Sequence, residues 1–181
     1  DYPPIADTLR TQVLRQGLIT WSASDLVTWS DFRGPPRVVT DEAAAIQSGI
    51  TYLVQCLDTV LTFSVLATDD PSISWVRADI LTDSVAGKRS LQHERTHFNI
   101  TEVAARRVRA ALAAVSGACP YHEDRAGAVF QEVVTKGMGV HQQYDDETAH
   151  GMRPTAQRGW DQRVLRQLDS LAQYAYPTAT P

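Results

Sequence analysis

Apolar and polar positions change their period part-way along the chain, near Ser90. Before it, short apolar runs carry β-branched and aromatic residues: Gly17 to Trp21, then Leu26 to Trp29, closed by the turn-former Arg33-Gly34-Pro35-Pro36. Residues 49–57 (GITYLVQCL) and 60–67 (VLTFSVLA) read as two strands joined tightly through Asp58-Thr59, a hairpin. Asp69-Asp70-Pro71 ends the second strand, and Ile73 to Val76 adds another short one. After Ser90, residues 90–116 hold no Gly or Pro and are rich in Ala, Arg and Leu, so the pattern predicts a long helix. At 100° per residue, Arg95, Asn99, Glu102, Arg106 and Arg109 share one arc, read as the solvated face. Ile100, Ala104, Val108, Ala111 and Val115 oppose them, with His93 and His97 on that buried side. Two more helices follow, Glu123 to Tyr144 (weakened by Gly137 and Gly139) and Thr155 to Tyr174. The polar turn Asp145 to Pro154 separates them, and the tail from Pro177 to Pro181 reads as loose.

The expected class is therefore α+β, as one domain over 1–181 that is β-rich over 1–80 and helical over 88–176. A chain of 181 residues buries enough apolar surface to fold without staples. The net charge of −4 argues against nucleic acid as a partner, because phosphate binding needs a basic surface. No stretch is long and apolar enough to predict a membrane span. The chain starts at Asp1 rather than methionine, which reads as a processed or trimmed product. Cys56 and Cys119 form either one bridge in an exported protein or two free thiols in a cytosolic one. A bridge would tie the hairpin to the start of the second long helix and contribute about 3 kcal/mol.

The sharpest chemical signal is His93-Glu94-Arg95-Thr96-His97 on the long helix. Histidines four apart sit on one helical face, so both imidazoles reach one tetrahedral zinc ion. Glu94 is offset by one position, beside the open coordination site. There it acts as general base on a zinc-bound water and returns the proton to the leaving amine. A catalytic zinc takes a third protein ligand. Glu102 falls on the solvated arc and is better explained by an i,i+4 pair with Arg106. His122 reads as a surface residue at a helix start, and His141 as solvated within a Gln-rich stretch. His150 is the expected third ligand, since it lies between helices and precedes Gly151, where backbone can approach closely. Asp145 and Glu147 in the same turn are the carboxylate rivals.

Three blocks carry a family resemblance: Trp29-Ser30-Asp31-Phe32-Arg33-Gly34-Pro35-Pro36; Leu91 to Ile100 with Glu102, Ala105 and Arg106; and Tyr144 to Gly151 with Gln157 and Trp160. In these the chain resembles DUF922, a family of bacterial predicted secreted zinc-dependent proteases. One departure is Asn99, where the family is expected to carry Asp. The resemblance implies a zinc metallopeptidase hydrolysing a peptide or protein substrate, secreted or in the periplasm or cell envelope, on a zincin-like fold. It strengthens His150 as a ligand and suggests Tyr144 as a hydrogen-bond donor to the oxyanion, or Asp145 as the group that orients a histidine. Capping and packing are the plain alternatives for Tyr144 and Asp145. The hairpin from Gly49 to Ala67 is the expected edge for an extended peptide.

Other features have plainer readings. Trp21, Trp29, Trp75 and Trp160 are expected in the core. Arg107, on the histidine side of the helix, is expected in a buried ion pair with an aspartate. Asn99-Ile100-Thr101 matches a glycosylation sequon but lies mid-helix and is set aside. Two rival functions remain: a zinc-binding pseudo-enzyme or surface interaction module, and a non-peptidase zinc amidohydrolase with a closed pocket.

Overall fold

The computed structural model describes residues 5–37, 42–57, 60–114 and 123–176. In chain order its elements are α1 (Ile5–Arg15), β1 (Ile19–Thr20), β2 (Ala44–Ala45), β3 (Ser48–Leu57), β4 (Val60–Asp69), β5 (Trp75–Val76), α2 (Ala78–Thr82), α3 (Ser84–Ala113), α4 (Glu123–Thr148) and α5 (Pro154–Ser170). The fold is α+β, with a small antiparallel sheet against a long helix.

The hairpin forms as the alternation predicts. β3 and β4 pair antiparallel from Ser48↔Asp69 to Leu57↔Val60, and β1 adds to the far edge of β4 to give the order β1-β4-β3. A separate two-stranded sheet joins β2 to β5, Ala44↔Val76 and Ala45↔Trp75. Leu26 to Trp29 is not a strand; residues Trp29–Asp31 instead make a 3-10 turn whose Asp31 carboxylate accepts from the Thr28 amide. The first helix, α1, was not legible either. It packs Leu9 and Val13 against Leu66 of β4.

α3 runs through the middle of the molecule. Asp83 caps it, its carboxylate accepting from the amides of Val85 and Ala86, both at 2.9 Å. One side of the helix packs Phe98, Ala105, Val108 and Leu112 into the main core with the hairpin and α4. Another side packs Ile100 and Val103 with Tyr144, Trp160, Val164 and Leu168 of α4 and α5. Losing a side chain such as Phe98, only 4% exposed, would cost about 3–5 kcal/mol.

The arc expected to be solvated is not. Glu102, Arg106 and Arg109 are 2%, 6% and 7% exposed, because α5 and the following turn cover that face. The i,i+4 pair from Glu102 to Arg106 exists at 2.9 Å, and Arg109 joins it at 2.9 Å. Arg107, expected to be buried, is exposed. Trp75 and Trp160 are core residues, and Trp21 and Trp29 pack partly buried against the core. Val115, His122 and Cys119 lie outside the described residues. Cys56 is disulfide-bonded.

α4 continues through Gly137 and Gly139 as far as Thr148. Gly137 faces Ala104, where an added Cβ would sit 3.5 Å from the alanine methyl, so the glycine lies where the two helices approach closely. The extra turn matters for the site. Asp145 is not in a loop but on the last turn of α4, one helical turn after His141.

Candidate metal centre

His93 and Glu94 are 2% and 3% exposed on the first half of α3. The helical spacing does what it predicts: His93 Nε2 and His97 Nε2 lie 3.1 Å apart. From α4, Asp145 Oδ1 comes within 3.0 Å of the first and 2.9 Å of the second. Three donor atoms thus converge from two helices, each of which offers an i,i+4 pair, His93/His97 and His141/Asp145. Around a zinc ion with bonds of about 2.0–2.1 Å, tetrahedral donors stand about 3.3 Å apart. The observed spacing is within a few tenths of an ångström of that.

The tautomer of His93 supports the same reading. Asp161 Oδ1 only accepts, so the amide nitrogen of Gln157 must face it, at 2.8 Å. The amide oxygen of Gln157 then faces His93 Nδ1 at 3.2 Å, and that ring nitrogen donates. His93 Nε2 is left with a bare lone pair aimed at a carboxylate and another imidazole. Such an arrangement needs a cation or a proton between the donors. Burial opposes charge on His93, but the bond to Asp145, with Glu94 and Gln157, raises its pKa above the usual imidazole value. Burial likewise opposes the Asp145 carboxylate, yet its bonds to His93 and His97 hold its pKa well below the usual range.

His150 stands further out. Its Nδ1 is 3.6 Å from Asp145 Oδ1, its ring is 6.2 Å from that of His93, and its side chain is 44% exposed. Ligand atoms of His93, Asp145 and His150 all lie within 4.8 Å of one another and could hold a metal ion. Glu147, the other carboxylate of this region, is turned away and accepts from Trp160 Nε1 at 2.7 Å and Gln143 Nε2 at 2.7 Å.

The turn after α4 places these groups. Ala149, His150 and Gly151 have φ of 48°, 52° and 80°, a run in the left-handed region that costs the two non-glycine residues about 1–3 kcal/mol each. Gly151 packs on His93, where an added Cβ would lie 3.1 Å from His93 Cβ. The close approach anticipated at this glycine is therefore to the histidine itself.

Tyr144 does not reach the cleft. It is fully buried, stacks on the His93 ring at 4.5 Å, and its hydroxyl lies 3.2 Å from the His93 carbonyl and 2.6 Å from the Gln157 amide nitrogen. An oxyanion role has no opening in this geometry; Tyr144 steadies His93 instead. Glu94 does line the cleft, and one of its oxygens accepts from the Ile46 amide at 2.8 Å. The cleft, about 230 Å³, is walled on the other side by residues from β2 to the start of β3. Among the described residues, none of the hairpin from Gly49 to Ala67 expected as its edge lines the cleft; Ser48, just before it, does.

Two positions escaped the sequence reading. His141, expected to be solvated, is half-buried with its Nδ1 2.9 Å from His97 Nδ1. Burial, and then the neighbouring His97, push its pKa down to about 4, so it is neutral at pH 7. Asp161 escaped as well, as the anchor of Gln157. The signal for His141 was present as a His–Asp pair four apart, the same spacing as in HERTH. Asn99, where Asp was expected, accepts from Trp21 Nε1 at 2.8 Å.

Residues 87–151 match the model of the family described as "Bacterial protein of unknown function (DUF922)", which supports that assignment for the chain. The stretch runs from α3 to Gly151 and holds every donor described above, while the block at Trp29 to Pro36 and Gln157 fall outside it. No curated protein and no solved structure matches the chain.

Proposed function

We propose that this chain is a zinc-dependent peptidase in which His93, His97 and Asp145 hold the metal and Glu94 is the general base. The observation that carries the reading is the convergence of three donor atoms within 3.1 Å of one another in a cleft that Glu94 also lines. Asp145 is taken as the third ligand because it reaches both imidazoles; His150, expected in that role, lies nearer the rim and within reach of the same ion. When bound, zinc would supply Lewis acidity towards water and the scissile carbonyl. Glu94 takes a proton from the attacking water and passes it to the leaving amine. The Ile46 amide fixes that carboxylate from the opposite wall, so the base is oriented before substrate arrives. Tyr144 and Gln157 hold His93 from behind.

The short strand β2 in the cleft wall offers extended backbone beside which a peptide substrate could lie. A disulfide at Cys56 fits the oxidising setting of a secreted or periplasmic protein. No described helix is long and apolar enough to cross a membrane.

The test pairs metal content with hydrolysis of a mixed-sequence peptide library read by mass spectrometry. The zinc-loaded parent is expected to cleave peptides, and Glu94→Gln to keep its zinc while cleaving none. Zinc binding without cleavage of any peptide by the parent would favour the non-catalytic zinc-protein reading. A Glu94→Gln variant that retains most activity would remove Glu94 from the role of base.

A further inference from the structure

We infer that His141 is a positioning residue of the metal centre: it accepts a hydrogen bond from His97 and so turns the bare Nε2 of His97 towards the metal. This rests on the reading of His93, His97 and Asp145 as ligands.

Four side chains set the positions of the protons. His97 Nδ1 and His141 Nδ1 are 2.9 Å apart, so one of the two nitrogens donates and the other accepts. Thr101 decides which. Its hydroxyl lies 3.1 Å from the His97 carbonyl, an acceptor only, and spends its single proton there. Thr101 Oγ1 then accepts from Ser48 Oγ, 2.7 Å away, and from His141 Nε2, 3.4 Å away. His141 therefore carries its proton on Nε2, and its Nδ1 is the acceptor. His97 must donate from Nδ1, which leaves Nε2 unprotonated beside Asp145 Oδ1 at 2.9 Å.

Placement makes the arrangement firm. His141 precedes Asp145 by one turn of α4, so a single helical face delivers both the metal-facing carboxylate and the group behind His97. The imidazole planes of His97 and His141 lie 21° apart with centroids 5.1 Å apart, so the rings meet edge to edge, close to the plane of the hydrogen bond. The two HERTH histidines thus have different supports: Gln157, fixed by Asp161, for His93, and His141, fixed by Thr101 and Ser48, for His97. A ligand histidine without such a partner is free to swap tautomers, and losing the partner typically weakens metal binding 10- to 100-fold.

The experiment measures zinc affinity of the full chain by competition with a chromophoric chelator, together with the absorption of the cobalt-substituted protein and the melting temperature of the metal-free protein. Three variants are compared. Asparagine places its side-chain oxygen where the imidazole has Nδ1, leucine fills the space with no acceptor, and glutamine sets its oxygen one bond further out. His141→Asn is expected to bind zinc close to the parent value with an unchanged cobalt spectrum. His141→Leu and His141→Gln are expected to bind about 10- to 100-fold more weakly, with altered spectra and metal-free melting temperatures near the parent's. Equal affinity in all three variants would overturn the inference, and so would equal loss in all three, because shape rather than an acceptor would then be at stake. If the leucine variant does not fold, the contrast between asparagine and glutamine decides. A parent that binds no zinc would instead overturn the ligand reading, which separates the two failures.

Discussion

Two faces of α3 bury polar side chains, and they do so in opposite ways. On one, Glu102 sits between Arg106 and Arg109, each 2.9 Å away. Other donors of the arginines go to the carbonyls of Val65, Leu168 and Tyr174, and Arg106 lies over the Trp21 ring at 5.4 Å. That cluster is satisfied by the chain itself and ties the C-terminal turns to the central helix. On the other face, His93, His97 and Asp145 aim acceptor atoms at one another within 3.1 Å. No donor of the chain resolves that meeting unless a proton is taken up. The difference separates the two clusters: both are buried and polar, but one matches its charges within the chain and the other brings acceptor atoms together where a metal ion could sit.

The largest expected effects tell the two faces apart. Glu102→Gln should destabilise the fold by about 3–5 kcal/mol, because two arginines lose their buried counter-charge. Its zinc affinity, measured on the folded fraction, should match the parent. His93→Ala should do the reverse, abolishing measurable zinc binding while the metal-free protein unfolds near the parent's temperature. If Glu102→Gln loses zinc as His93→Ala does, the two faces are not independent.

The next test sharpens the metal face. Asp145→Ala should cost more zinc affinity than His150→Ala, by about 1.4 kcal/mol or more, since only Asp145 touches both imidazoles. Isothermal titration of zinc into both variants checks this, and the reverse order would restore His150 as the third ligand. Gly151→Ala should cost about 1–2 kcal/mol in thermal stability. The alanine must adopt φ near 80° and press its methyl on His93.

The smallest effect concerns a third buried carboxylate, one without a matched charge. Asp69 is 0% exposed, accepts from Ser74 Oγ at 2.5 Å through one oxygen, and among the described residues has no hydrogen-bond partner for the other. Burial pushes its pKa up to about 6. A raised acid binds its proton more tightly in the folded state, so this group's contribution to stability falls as pH rises from about 4 to about 6. Asp69→Asn should remove that slope and stabilise the protein at pH 7 by about 1 kcal/mol, seen in melting temperatures at pH 4, 6 and 7. Glu102, with its charge matched, should show no such gain on neutralisation.

How much of this was legible in the sequence follows from the range of the forces involved. The hairpin of β3 and β4, the long helix and the convergence of His93 with His97 were readable, because strand alternation and the 3.6-residue turn are set within a few residues. So was the importance of the region around Tyr144 to Gly151, though not the part each residue plays in it. The exposed face assigned to Glu102, Arg106 and Arg109 failed because a helical wheel shows which side chains share a face, not what will cover it. α5, more than forty residues on, covers that face. His141 was hidden in the same way: its helix was expected to end at Tyr144, so the face it shares with Asp145 towards α3 never came into view, although Asp145 itself was named as a rival ligand. Sequence alone determined which groups could serve a metal and their spacing along each helix. Only tertiary packing decided which of them meet, since the donor set depends on how two helices cross.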